Sequence, residues 1–131
     1  MASSMRHPLA KIAAALAFII GVMAIFAGGQ VLLGQLPDYY VINWLPIYNF
    51  IAGVVSALVV AVLIWRENSY ALPAAALTFG AHAVVMIVIR TAYGDVVAPD
   101  SLRAMTIRLA VWLMILVLLF LQSRRGRVTT V

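Results

Sequence analysis

Three side chains set the chemical question: His82, Arg90 and Arg108 each stand inside a long apolar run. Ionisable groups are costly in hydrocarbon, so each is a functional candidate. A neutral imidazole exchanges one hydrogen bond with a carbonyl or hydroxyl, and a guanidinium supplies positive charge with five donors. The amides of Gln30 and Asn49, and Trp112 four residues past Arg108, complete the set. Together they outline a pocket with His82 as floor, Asn49 and Gln30 as walls, and Arg90 and Arg108 as a cationic rim. Such a pocket suits an amphiphile with a carbonyl or anionic head and an apolar tail: a quinone, a fatty acid or a lipid.

Each residue also has a structural reading. Arg90, near a helix end, snorkels to the interface. Arg108 pairs internally with Asp38, Asp95 or Asp100. His82 is a neutral imidazole bonded to a neighbouring helix, and Gln30 and Asn49 join helices in the same way.

Missing chemistry narrows the field. There is no cysteine, and all four carboxylates (Asp38, Glu67, Asp95 and Asp100) fall between the apolar runs. Proton-coupled antiport through a membrane carboxylate, intramembrane aspartyl chemistry and disulfide exchange therefore have no residue to act through. A bis-histidine haem within one chain is not expected, because His7 precedes the first run while His82 sits mid-run. No Gly-rich phosphate loop, HExxH or Ser–His–Asp set is present, so no catalytic or metal residue is assigned and an enzyme acting alone is not expected.

The elements that must position these groups follow from composition. The chain has 131 residues, 66% of them apolar, with nine Lys or Arg and four Asp or Glu. Mean hydropathy is +1.09. A water-soluble surface needs about a quarter of its residues charged, so a soluble enzyme, a disordered chain and a nucleic-acid-binding domain are excluded. Four stretches have the roughly 20 residues that span hydrocarbon: 12–33, 44–65, 71–89 and 102–122. Pro46 and Pro73 fall in opening turns, Asn68 or Ser69 is placed to cap the third helix, and Asp100 to cap the fourth. Although Arg6 and Lys11 precede the first run, its length and the poor cleavage triplet Ile25-Phe26-Ala27 predict a retained helix, not a signal peptide.

Arg6, Lys11, Arg66, Arg124, Arg125 and Arg127 fall on one side of these spans. Arg90 and Arg103 fall on the other, offset by Asp38, Asp95 and Asp100. The positive-inside rule then places both termini in the cytoplasm. Tyr39, Tyr40, Trp44 and Tyr93 mark the outer interface, and Trp65 and Tyr70 the inner one.

In lipid, contact faces show themselves as small or polar residues at helical spacing. Ala13, Ala17, Gly21, Ala24 and Gly28 form such a stripe in the first helix, and Asn49, Gly53, Ser56 and Val60 in the second. Ala71, Ala75, Thr78, His82, Met86 and Arg90 form a third. Gly21, Gly28 and Gly53 are the expected close-packing positions. The fourth helix is bulkier, and its inner half is expected to present a broad face to lipid.

The expected fold is thus an all-α integral membrane protein, one domain spanning 1–131, with an antiparallel four-transmembrane-helix bundle. In size and hydropathy the chain resembles the small bacterial DoxX-like membrane proteins, with Gly28-Gly29-Gln30-Val31-Leu32-Leu33-Gly34 similar in flavour; that resemblance covers one helix and implies no functional residue. The expected setting is a bacterial inner membrane. The first functional expectation is a non-catalytic accessory or assembly subunit of a larger membrane complex or homo-oligomer, with lipid and no nucleic acid as partner. The second is binding of a quinone, lipid or other amphiphile in the outer-half pocket, and the third is a small transporter or channel.

Overall fold

A computed structural model describes residues 8–130, with side chains through residue 124. Arg6, His7, Arg125 and Arg127 therefore lie outside the described residues or side chains. The described chain is helical, with α1 Pro8–Leu32, α2 Leu45–Trp65, α3 Ala71–Thr91 and α4 Pro99–Thr130. All four are long and apolar enough to cross a membrane, which marks a multi-pass membrane protein. Three helices outrun the apolar spans read from sequence: α1 starts four residues earlier, at Pro8, α3 runs two residues further, to Thr91, and α4 starts at Pro99 and continues past residue 122. Hydropathy sees only the part suited to hydrocarbon, whereas backbone hydrogen bonding carries on through polar residues such as Ser123 and Arg124.

The ends of the helices have local causes. α1 stops at Gly34, whose φ of 93° is left-handed. The Gln35 N–H returns to the Gln30 carbonyl at 2.8 Å and the Gly34 N–H to that of Val31 at 3.0 Å, satisfying the last turn. Past α2 the same device recurs with Glu67 in the left-handed position, φ 54°. There Asn68 N–H reaches the Leu63 carbonyl and Glu67 N–H that of Ile64, both at 3.0 Å. Pro46 opens α2, where its missing N–H leaves nothing unpaired. Asn68 does not cap α3 directly; its Oδ1 accepts from Tyr70 N–H at 2.9 Å, one step before the helix. Asp100 lies inside the first turn of α4, facing Arg103 at 3.6 Å, and does not cap it.

α1 packs along the whole of α2 and also touches α4, and α4 in turn packs on α3. The predicted stripe of α1 is buried from Ala13 to Gly28. Its glycines admit α2 backbone to backbone: a Cβ on Gly28 would stand 2.4 Å from the Pro46 carbonyl oxygen, and one on Gly53 2.6 Å from that of Gly21. Association in lipid relies on this close approach, because no hydrophobic force pulls apolar helices together there. A π-helical segment, Val55–Val60, interrupts α2, with Ala61 N–H returning to the Ser56 carbonyl. Within it, consecutive Ser56 and Ala57 are both buried. α4 buries Met105, Arg108, Trp112, Ile115 and Leu119, a three-four stripe with an arginine in the middle. Its other faces, including Leu113, Val117 and Phe120, are exposed. Between α2 and α3 contact is sparse, and that seam is open.

Candidate functional site

Two buried polar clusters occupy the half of the molecule nearest the 33–44 and 92–98 connectors. In the first, Arg108 Nη1 donates to Asn49 Oδ1, joining α4 to α2. Arg108 is 6% exposed, and among the described residues no carboxylate lies within ion-pair distance of it. The bond to Asn49 engages one of the five N–H donors of the guanidinium. Beside it opens a cleft of about 70 Å³, bounded by Asn49, Arg108, Met105, Tyr39 and, at its mouth, Asp100 and Ser101. Asp100 and Arg108 are eight residues apart on one helix, so the cleft runs about 12 Å along α4 at ~1.5 Å per residue. At the mouth the Asp100 carboxylate faces its own helix neighbour Arg103, with both side chains largely exposed. The buried guanidinium is therefore the uncompensated charge of this cleft.

The second cluster joins α2, α3 and α4. His82 Nδ1 and the Tyr48 hydroxyl share a hydrogen bond, with the rings edge-on and 5.7 Å apart. Trp112, fully buried, stands 6.4 Å from the imidazole on the other side. His82 is 2% exposed and does not line the Arg108 cleft. It lies instead at the back of the open α2–α3 seam, with Tyr48, Thr78 and Val55. The two clusters are adjacent through the chain: Tyr48 precedes Asn49, and Trp112 lies one turn beyond Arg108.

Sequence placed one pocket where the structure builds two polar clusters back to back. Arg108, Asn49, Trp112 and His82 come together in this layer. Gln30 and Arg90 do not, since both are exposed and line neither cluster. Helical phase is the reason. Gln30 follows buried Gly28 by two residues, about 200° round the helix at 3.6 residues per turn. Eighteen residues make five turns, so Ile89 stands over Ala71 and is buried, while Arg90 is carried about 100° away. Gly21, Gly28 and Gly53 stand at the α1–α2 contact. Tyr48 was missed, although its place next to Asn49 in the first turns of α2 was a signal.

Aromatic pairing fixes the nearby connectors. Trp44 Nε1 donates to the Tyr93 hydroxyl at 3.0 Å, and the rings meet edge-on at 5.9 Å. Among the described residues no three His, Asp or Glu side chains converge as metal ligands would. No protein-family model, curated protein or solved structure matches the chain, so the likeness carried by Gly28–Gly34 stands on those residues alone.

Proposed function

We propose that this chain is an antiparallel four-helix protein of a bacterial inner membrane, with both termini cytoplasmic, that holds the anionic head of an amphiphile in the Arg108 cleft. The observation that carries the reading is Arg108: buried in an apolar helix, held by one amide, with no carboxylate partner among the described residues, and facing a cleft. A buried cation without a counter-charge is costly, and a bound carboxylate or phosphate relieves that cost. Asn49 orients the guanidinium, and Tyr39 and Ser101 offer hydroxyls along the way in. The size of the cleft suits a head group, leaving an apolar tail to lie against the exposed helix faces.

The test is binding of a fluorescent fatty acid, and of the matching neutral alcohol, to the protein in nanodiscs. The acid is expected to bind at least tenfold more tightly than the alcohol. Arg108→Gln should cost the acid about 10- to 100-fold, the worth of a charged hydrogen bond of ~1.5–3 kcal/mol. Equal affinity for acid and alcohol, or an Arg108→Gln protein of unchanged helix content that binds the acid as before, would refute the reading.

The accessory-subunit reading keeps one observation in its favour. Gly80 on α3 is exposed, with no atom within 4 Å of a Cβ position, which leaves room on that face for another helix to approach closely. Native mass spectrometry from gently extracted membranes tests it through a stoichiometric partner. Transport is less well supported, since Trp112 and Ile115, both fully buried, close the interior between the Arg108 cleft and the cleft at the other end.

A further inference from the structure

A wide groove lies far from Arg108, on the outer face where α1 meets the second half of α2. It measures about 550 Å³. Its floor is made of small buried residues, Ala14, Ala57 and Ala61, and its walls include Phe18 and Leu58. The floor falls partly on the π-helical segment of α2. At one end stand Trp65 and Arg66. There the Lys11 ammonium lies 4.0 Å above the centre of the Trp65 indole and donates to the Trp65 carbonyl at 2.9 Å. Neither Lys11 nor Arg66 has a carboxylate within ion-pair distance among the described residues. The nearest acid in sequence, Glu67, lines a separate cleft with Ile64, Ala71 and Leu119.

From this placement we infer that the groove is a lipid site: it seats an acyl chain of an anionic phospholipid, whose phosphate lies between Lys11 and Arg66. Apolar walls at membrane depth call for hydrocarbon, and two cations with spare donors at the mouth call for negative charge. An indole at the same level suits the head-group boundary. A second copy of the chain is a poorer occupant. A two-fold contact through this groove brings two Lys11 and two Arg66 to one depth, where like charges repel. The site is independent of the Arg108 cleft and stands or falls separately.

Trp65 reports on the groove directly. The protein is placed in phosphatidylcholine vesicles carrying a minor fraction of acyl-brominated phosphatidylglycerol, or the same fraction of acyl-brominated phosphatidylcholine. Bromine quenches nearby indoles, and Trp65→Phe identifies the share due to Trp65. Wild type is expected to show stronger quenching by the brominated anionic lipid. That preference should fall about fivefold for each cation removed in Lys11→Gln and Arg66→Gln, from ~1 kcal/mol per basic residue near the surface. Arg66→Lys, which keeps the charge, should retain it and guards against loss of folding as the cause. Equal quenching by the two lipids in wild type overturns the inference, as does a preference unchanged in the double variant. Shielding of Trp65 from both lipids, together with disulfide cross-linking through Ala15→Cys, would show a protein occupant and overturn it too.

Discussion

Tyr48 and His82 form a part-buried polar pair, and their hydrogen bond spans α2 to α3 across the one seam that packing leaves open. Interhelical hydrogen bonds in membranes average about 0.6 kcal/mol and reach about 1.7. Tyr48→Phe should therefore destabilise by ~0.5–1.5 kcal/mol. In a double-mutant cycle with His82→Leu, the coupling should recover most of that loss. Unfolding in mixed micelles titrated with dodecyl sulfate gives both numbers; additive effects of the two substitutions would mean the bond contributes nothing. Asn49→Leu acts differently, because it leaves the Arg108 guanidinium without its amide and should cost about 1–3 kcal/mol. Residue types announced much of this layer. Arg108, Asn49, His82 and Trp112 are conspicuous inside apolar runs, whereas Tyr48 passed for one more aromatic ring. Gln30 and Arg90 were polar at the right depth but on the wrong face, and depth alone cannot place a side chain.

Helix contacts rest on glycine in two opposite ways. Gly28 and Gly53 sit where a Cβ meets backbone that cannot yield, whereas Gly80 faces open space. Gly28→Ala should force α1 and α2 apart and cost ~1–3 kcal/mol as an overpacking change. Gly80→Ala, in a helix interior with room to spare, should stabilise by about 0.5–1 kcal/mol through backbone entropy. Melting the two variants side by side in detergent, followed by circular dichroism, checks the pair; equal effects would mean the close approach at Gly28 is absent. The α1 stripe was legible because small residues repeat there every three or four positions over about four turns. The α4 stripe was half hidden: its buried and exposed residues are equally apolar, so only Arg108 and Trp112 stood out. The π-helical turn in α2 had no sequence signal, since Val55–Val60 reads as ordinary apolar helix.

For the molecule as a whole, topology is the open question with the clearest test, and the absence of native cysteine makes it direct. Single substitutions Asp38→Cys, Asp95→Cys and Asn68→Cys place thiols in the three connectors. With both termini cytoplasmic, a membrane-impermeant maleimide added to intact cells should label the first two and spare the third until the membrane is opened. The reverse pattern would invert the molecule, and labelling of all three would refute four crossings. Composition determined the class, since a chain this apolar cannot cover itself with a wettable surface. Hydropathy determined four spans and their approximate limits, because hydrocarbon thickness fixes the length of a crossing helix. Tertiary structure decided which polar groups meet. A rotation of about 100° per residue turns small differences in position into opposite faces, separating Arg90 and Gln30 from Arg108. It also decided that His82 pairs with Tyr48 behind Trp112, outside the cleft beside Arg108. Contacts between helices distant in sequence depend on how each helix is rotated against its neighbours, and that rotation is set only when all four pack together.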